Sequence, residues 1–226
     1  MRVGVIGAGR VGGNAARLLA SAGHEVLLSF SRDPSRLEEL TAGIGERSAV
    51  GSVAEAARFG EVVILSVPWP LIPAVIDEAG TLEGRVVIDT TNQFGPGGLQ
   101  TIPDGFTAAQ LNQQRIPGSR LCKAFNTLTA GFQAAEAGRP PAERVVLFMC
   151  GDDAVAKTVV AGLIEDAGFA PADIGALADA APMEAPRRPG ALYGEEYRPT
   201  DAAAAVRALR SGRTLPPTPD YTKGRL

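Results

Sequence analysis

The sequence predicts an α/β fold in which a doubly wound parallel sheet carries helices on both faces. Short apolar runs recur along the 226 residues, and a segment rich in alanine, leucine and glutamate follows most of them. Uninterrupted apolar runs are typical of parallel strands that are buried on both faces, and helices are the usual connection between such strands. The two observations together indicate alternating strands and helices around one sheet.

The individual elements follow from this pattern in chain order. Strands are predicted at residues 3–6, 25–31, 62–67, 86–89, 121–125 and 145–150, with shorter ones near 47–50 and 172–174. Helices are predicted at residues 10–22, 34–41, 53–59, 71–79, 108–115 and 152–167. Residues 1–178 are therefore expected to form one domain.

Residues 179–226 have a different character. Prolines recur from Pro182 to Pro219, and a single helix is predicted at 201–210. Such a tail can be a disordered linker, but Tyr193, Tyr197 and Tyr221 provide anchors that disordered segments usually lack. The expected structure is a short proline-rich C-terminal arm that packs on the core. In a homodimer, this arm is a candidate for contact with the second subunit.

Composition excludes several classes of function. The chain has 22 basic and 25 acidic residues, a formal charge of -3, so no nucleic-acid partner is expected. No apolar run approaches the ~20 residues that span a bilayer, and no basic apolar leader precedes the first strand. We therefore expect no membrane contact and a cytoplasmic location.

The residues needed for metal or triad chemistry are scarce. His24 is the single histidine and is expected in a surface turn, on the side of the sheet away from any ligand. Cys122 and Cys150 lie in apolar segments and are expected to be buried thiols. A zinc site or a serine–histidine triad therefore has almost no residues to draw on, and no metal is expected.

The first strand is followed by a glycine-rich turn that opens the first helix. Its sequence, Gly7-Ala8-Gly9-Arg10-Val11-Gly12, matches G-x-G-x-x-G. Gly7 permits the tight turn, Gly9 lets the backbone approach a pyrophosphate, and Gly12 lets helix and strand pack closely. The segment predicts a Rossmann, NAD(P)-binding domain. Arg10 fits either a contact to the adenosine phosphate or a solvated surface position.

The end of the second predicted strand favours NADP(H) over NAD. NAD-specific proteins usually carry an acid there, which binds the ribose 2′-hydroxyl. This chain instead has Ser29, Ser31 and Arg32, whose hydroxyls and guanidinium suit a 2′-phosphate. Asp33 is the alternative ribose ligand, but Asp33 and Pro34 also fit the cap and first residue of the next helix.

Three short segments follow predicted strands at the edge where ligands of such sheets bind. They are Ser66-Val67-Pro68-Trp69, Thr90-Thr91-Asn92 and Phe125-Asn126-Thr127. Trp69 fits either a place beside the nicotinamide or second substrate, or a hydrophobic anchor at a helix start. Asn92 and Asn126 fit either partners for a carboxamide or substrate carbonyl, or ordinary turn residues.

Lys123 is the candidate proton donor for reduction of a carbonyl, since no histidine is expected at this edge. The alternative is that its side chain snorkels from the strand to water. A flavin-like acceptor would need no such donor, because its conjugated ring spreads the incoming negative charge. Lys123 and Asn126 are therefore the candidate catalytic residues, and neither is assigned a definite role.

Several of these segments together resemble one family, the NADPH-dependent F420 reductases. They are the glycine turn, Ser31-Arg32, Ser66-Val67-Pro68-Trp69, Lys123-Ala124-Phe125-Asn126-Thr127 and Cys150-Gly151-Asp152-Asp153. The last two are also similar to the cytosolic NADPH:flavin domains of membrane metalloreductases. The resemblance runs over residues 1–178. Asp152 and Asp153 fit a helix cap better than a substrate contact.

The resemblance implies hydride transfer between NADP(H) and a deazaflavin, F420, or a flavin co-substrate, in a dimer. It implies that Gly7, Gly9, Arg10, Ser31 and Arg32 hold NADP, and that Val67, Pro68 and Asn92 border the nicotinamide. With the residues from the motifs above, the full expected cofactor set is Gly7, Ala8, Gly9, Arg10, Val11, Gly12, Ser29, Ser31, Arg32, Val67, Pro68, Thr90 and Asn92.

The C-terminal stretch does not match the ending expected of an F420 enzyme, so the small-molecule acceptor stays open. Arg187, Arg188 and Tyr193 fit either a second-substrate pocket or a solvated loop. One alternative function is NADPH-dependent reduction of a small carbonyl or imine, although about fifty C-terminal residues are too few for the large helical domain of such reductases. The other is a non-catalytic NADP-binding sensor.

Overall fold

The computed structural model describes residues 1–30 and 34–221. Its strands are β1 (Arg2–Ile6), β2 (Glu25–Ser29), β3 (Ser48–Val50), β4 (Val62–Leu65), β5 (Val86–Asp89), β6 (Phe94–Gly95), β7 (Gly98–Leu99), β8 (Arg120–Lys123), β9 (Val146–Gly151) and β10 (Ala170–Asp173). Its α-helices are α1 (Arg10–Ser21), α2 (Pro34–Ile44), α3 (Val53–Phe59), α4 (Ile72–Ala79), α5 (Ala108–Arg115), α6 (Ala130–Glu136), α7 (Ala154–Asp166) and α8 (Pro199–Arg210). Single 3₁₀ turns lie at Trp69–Leu71, Pro141–Glu143, Leu177–Asp179 and Ala181–Met183.

Eight strands form one sheet in the order β10-β9-β8-β5-β4-β1-β2-β3, and β6 and β7 form a separate hairpin. The predicted doubly wound α/β fold is confirmed. One detail is wrong. The run at 145–150 was expected to be parallel to the other strands, yet β9 pairs antiparallel with β8, and β10 pairs parallel with β9. Every residue of β9 is buried. An apolar run indicates that a strand is buried on both faces, but it does not indicate whether the strand runs parallel or antiparallel to its neighbour.

Helices cover both faces of the sheet. One apolar cluster joins the sheet to α3, α4, α5 and α8 and includes Ala56, Val75 and Ala205. A second cluster joins the other face to α1, α2 and α7, with Leu19 and Val160 among its members. The helix starts carry the local signals that they need: Ser52 and Glu55 form a capping box at α3, and Asp153 caps α7 as predicted.

The segment after β10 packs on the face that α3, α4 and α5 cover. Tyr197 is 1% exposed, and its ring meets that of Phe148 edge-on, with centroids 5.2 Å apart. The Tyr197 carbonyl accepts a hydrogen bond from the Val146 amide at 2.9 Å. Residues from Leu177 to Ala205 therefore contribute to the same core as the sheet.

His24 lies in the turn between α1 and β2, as expected, but the prediction that it is a surface residue is wrong. The residue is 7% exposed, and its Nε2 lies 3.0 Å from Oδ2 of Asp166. The end of α7 and the amino group of Met1 cover the turn, and neither contact can be seen in a local sequence pattern. Within residues 1–30 and 34–221, no helix is both long and apolar enough to cross a membrane.

Candidate cofactor site

A cavity of about 540 Å³ opens at the carboxyl ends of β1, β2, β4 and β5. Parallel sheets bind their ligands at this edge. The cavity brings together eight residues of the expected cofactor set, namely Gly7, Gly9, Arg10, Val11, Val67, Pro68, Thr90 and Asn92, with Trp69, a candidate substrate contact. It is also lined by Ser66 and Thr91, which belong to the segments expected at the ligand edge, and by Phe30 and Phe94, for which no contact was predicted.

The glycine turn is shaped by close backbone contacts at two of its three glycines. Gly7 has a φ of 104°, and a Cβ there would lie 2.3 Å from the Ser66 carbonyl oxygen. A Cβ at Gly12 would lie 2.1 Å from the Gly7 carbonyl oxygen. The tight turn and the close packing predicted for these two positions are therefore present.

Gly9 differs from its neighbours because nothing in the described protein requires glycine there. A Cβ at Gly9 would meet no atom within 4 Å, and its φ of -72° suits any residue. Gly9 lines the cavity, so the space that its Cβ would fill is open to a ligand. No side chain caps the start of α1 at Gly9, which leaves its first amide N–H groups free to bind an anion. The turn thus fits a pyrophosphate.

The end of β2 is tied to the glycine turn. The amides of Gly7 and Ala8 donate to the carbonyls of Ser29 and Phe30, at 3.0 and 3.2 Å. Phe30 has a φ of 56°, a left-handed conformation that is rare for phenylalanine. Left-handed residues of this kind cluster at ligand sites.

Ser29 does not lie at the cavity, which corrects its predicted phosphate contact. The residue is fully buried, and its hydroxyl donates to the Val5 carbonyl of the neighbouring strand at 3.0 Å. Ala8 is also buried and contributes its backbone to the turn. Ser31, Arg32 and Asp33 lie outside the described residues.

The second wall of the cavity consists of Val67, Pro68 and Trp69. Trp69 begins a 3₁₀ turn, is 7% exposed and belongs to a core cluster, so it is an anchor at a helix start and also part of the cavity. The guanidinium of Arg115 stacks on its ring, 4.3 Å from the centroid. Burial lowers the pKa of Arg115, and Asp89 partly offsets this effect.

The third wall, Thr90, Thr91 and Asn92, follows β5 and is held by the buried carboxylate of Asp89. Asp89 Oδ1 accepts hydrogen bonds from the Thr91 amide at 2.8 Å and the Thr91 hydroxyl at 2.7 Å. The Thr90 hydroxyl donates to the Leu65 carbonyl at 3.2 Å. Asn112 Nδ2 donates to Asp89 Oδ2 at 2.9 Å.

Lys123 lies behind this wall, away from the cavity lining. It is fully buried, so the snorkelling alternative is wrong. Its Nζ donates to Asp89 Oδ2 at 3.0 Å and to the Thr91 carbonyl at 2.8 Å, and lies 3.8 Å from Glu184 Oε1. Burial opposes the charge, but Asp89 and Glu184 outweigh it and raise the pKa of Lys123.

Asn126 ties the C-terminal segment to this edge of the sheet and lies outside the cavity lining. Its Nδ2 donates to the Met183 carbonyl at 2.6 Å and to Asn92 Oδ1 at 3.2 Å. Asn92 Nδ2 returns a bond to the Asn126 carbonyl at 3.0 Å. Gln93 Nε2 donates to the Ala185 carbonyl at 2.9 Å. The amide side chains at this edge therefore bind protein backbone.

The residues proposed for a second-substrate pocket are not brought to the cavity. Arg187 is exposed and pairs with Glu195 at 2.6 Å, as in a solvated loop. Arg188 donates to backbone carbonyls of its own segment. Tyr193 is half-buried, and burial raises its pKa.

Both cysteines are buried, as predicted, and they lie on opposite faces of the sheet. Among the described residues, no group of three or more His, Cys, Asp or Glu is arranged to hold a metal ion.

Known proteins are similar to this chain over parts of its length. Residues 2–93 match the family described as NADP oxidoreductase, coenzyme F420-dependent. The metalloreductase STEAP3 of Rattus norvegicus is 29% identical over 184 residues, which cover 81% of this chain and 36% of that protein. The chain thus spans about a third of the length of this curated relative.

Two solved structures have the same fold over most of the chain. A hypothetical protein from Sinorhizobium meliloti superposes with a TM-score of 0.76 at 29% identity, covering 88% of this chain and 95% of that one. A candidate F420-dependent NADP-reductase from Arthrobacter sp. FB24 gives 0.67 at 25% identity, covering 80% and 87%. The resemblance inferred from the sequence is confirmed: residues 2–93 match the F420-dependent NADP oxidoreductase family, and the relatives and solved structures above are similar over most of the chain.

Proposed function

We propose that this protein is an NADP-dependent oxidoreductase that transfers a hydride between NADP(H) and a flat conjugated ring, a deazaflavin or a flavin. The observation that carries the proposal is the cavity at the carboxyl edge of the sheet, where Gly9 leaves space that no protein atom needs. The family match over residues 2–93 supports the same chemistry. NADPH, when bound, supplies the hydride, and the acceptor ring receives it.

The glycine turn is the proposed phosphate site. Gly9 admits the pyrophosphate, the uncapped amides at the start of α1 donate to it, and Arg10 adds a positive charge at the same place. Ser31 and Arg32, which the sequence favours for the 2′-phosphate, complete this half of the proposed site. Ser29 is not part of it, because its hydroxyl is used within the sheet.

The nicotinamide is proposed to lie between the two remaining walls. Val67 and Pro68 form one side, and Thr90 and Asn92 form the other. Trp69 and Phe94 extend the cavity with aromatic surface, which suits a flat second ring. Residues in these walls orient two rings and exclude water, which is the protein's main contribution to a hydride transfer.

A ring acceptor fits this cavity better than a carbonyl or imine. The described lining consists of glycine, aliphatic, aromatic, hydroxyl and amide residues together with Arg10. Reduction of a carbonyl asks for a proton donor such as histidine, tyrosine or lysine beside the oxygen. Lys123 carries a suitable group, but its Nζ is directed to Asp89 and the Thr91 carbonyl.

Anaerobic stopped-flow absorbance tests the proposal. The NADPH-loaded protein is mixed separately with F420, FMN, FAD and a panel of carbonyls and imines. Oxidation of NADPH by at least one ring acceptor is the expected result. Oxidation by carbonyls or imines alone would overturn the ring assignment, and tight NADPH binding without oxidation by any acceptor would indicate a binding protein.

A further inference from the structure

Three charged side chains meet in the interior beside the proposed nicotinamide wall. Lys123 comes from β8, Asp89 from the end of β5, and Glu184 from the segment after the last 3₁₀ turn. Lys123 and Asp89 are 0% exposed, and Glu184 is 4% exposed. One ammonium group and two carboxyl groups are thus buried together, almost entirely out of contact with solvent.

Each member of the cluster has hydrogen-bond partners. The Glu184 carboxylate accepts from the amides of Ala108 and Ala109 at the start of α5, at 2.9 and 2.8 Å. Lys123 Nζ donates hydrogen bonds to the Asp89 carboxylate and to the Thr91 carbonyl. Burying charges is unfavourable compared with an apolar core of the same shape, so an ion cluster is weak evidence for a role in stability alone.

Thr91 connects the cluster to the cavity. Its carbonyl accepts from Lys123, while its amide and hydroxyl both donate to Asp89. Every polar group of Thr91 is therefore held from behind, and Thr91 itself lines the cavity between Thr90 and Asn92. Lys123 thus holds the carbonyl of Thr91, and Asp89, its ion-pair partner, holds the amide and hydroxyl of the same residue.

We propose that Lys123 is a positioning residue, which holds the wall of Thr90, Thr91 and Asn92 in place for the nicotinamide, with Glu184 as its second counter-charge. The inference rests on the proposed function. It gives Lys123 a role through Thr91 and no direct part in proton transfer. It also gives the C-terminal segment a function at the site, through Glu184.

The test separates the nicotinamide from the rest of the cofactor. Binding of NADPH and of 2′-phospho-ADP-ribose, which keeps the phosphates and lacks the nicotinamide, is measured by calorimetry for the wild type and for Lys123→Met. The expected result is about tenfold weaker binding of NADPH, the equivalent of one lost buried hydrogen bond, with unchanged binding of the fragment.

Two further variants test whether a loss of binding comes only from the changed charge of the cluster or from the removal of any lysine. Lys123→Met with Glu184→Gln keeps the net charge of the cluster, since one positive and one negative charge are removed together, and it should show the same selective loss. Lys157→Met is the matched control. It removes a lysine whose Nζ lies 2.9 Å from Asp173 Oδ2, a partly exposed ion pair outside the cavity lining, and the variant should bind both ligands normally.

The possible failures are distinguishable. A wild-type protein that binds neither ligand overturns the proposed function and the inference with it. If the wild type binds both ligands, the double variant decides, once circular dichroism has shown that it is folded. Equal loss of both ligands by this variant, or loss of neither, overturns only the inference. Failure of the double variant to fold would assign the cluster to stability and would also overturn the positioning role.

Discussion

Lys123 and Asp89 form an ion pair that solvent does not reach, with Nζ 3.0 Å from Oδ2, and Thr91 connects both side chains to the cavity. The sequence made Lys123 the candidate proton donor because no histidine is expected at this edge. Lys123 lies behind the wall, where its ammonium group does not face the cavity. The site therefore suits hydride transfer to a ring acceptor, which needs no proton donor, better than reduction of a carbonyl.

Gly9→Ala should weaken NADPH binding while leaving the fold intact. The added Cβ meets no protein atom within 4 Å, but it enters the space proposed for the pyrophosphate. Gly43→Ala is the matched control, because it also has open space and lies on an exposed part of α2. Fluorescence titration with NADPH measures the difference. Equal affinity of the two variants would contradict the phosphate assignment.

Gly12→Ala should behave differently from Gly9→Ala. Its Cβ would overlap the Gly7 carbonyl oxygen, so the loop or α1 must move. Overpacking of this kind costs about 1–3 kcal/mol. Urea denaturation should therefore show a loss of stability in the absence of any ligand. An unchanged free energy of unfolding would show that the turn is not as tight as the structure has it.

Arg32→Gln tests the preference for NADP. A charge-assisted bond to the 2′-phosphate contributes about 1.5–3 kcal/mol, so NADPH should bind roughly tenfold to a hundredfold more weakly. NADH, which lacks this phosphate, should bind as before. Arg58→Gln, at an exposed position in the last turn of α3, serves as the control. Equal losses for NADPH and NADH would be incompatible with the assignment.

Tyr197→Ala should destabilise the whole sheet. Its ring is buried against Phe148, and truncation of a large buried aromatic costs about 3 kcal/mol or more. Tyr193→Ala removes a half-buried ring and should reduce the free energy of unfolding by less.

The division into a domain of residues 1–178 and an arm of residues 179–226 stays a prediction, and two separate unfolding transitions in the wild type would support it.

The two thiols should be unreactive in the folded protein. Burial raises the pKa of Cys122 to about 12 and raises that of Cys150 as well. A thiol reacts as the thiolate, which forms only as the pH approaches the pKa, so both groups stay protonated at mildly alkaline pH. Titration with a disulfide reagent should find no reactive thiol before unfolding and two afterwards. Rapid labelling of the native protein would contradict this burial.

Local patterns were sufficient to predict the parts of the fold that depend on short stretches of chain. The glycine turn is encoded by three glycines in six residues, and β1, β2, β4 and β5 each appear as an apolar run. Helix α6 was missed, because its seven residues carry no strong apolar period and depend on the cap at Thr129. The hairpin of β6 and β7 was missed as well.

The contacts that define the site depend on residues far apart in the chain. Glu184 reaches the start of α5 across more than seventy residues, and nothing near it in the sequence points to Lys123. Ser29 stands at the predicted position, yet its hydroxyl donates to the Val5 carbonyl, and a local sequence pattern does not show which face of a strand a residue occupies once the strand is buried on both faces. Asp89 did carry a signal, as a charged residue that ends an apolar strand.

Single-turnover oxidation of NADPH deuterated at the transferable position of the nicotinamide, with F420 and with FMN as acceptors, tests the central claim most directly. The account predicts that one of these rings oxidises the bound NADPH and that deuteration slows the reaction, because the carbon–hydrogen bond breaks in hydride transfer. Bound NADPH that stays reduced in the presence of both acceptors would contradict it.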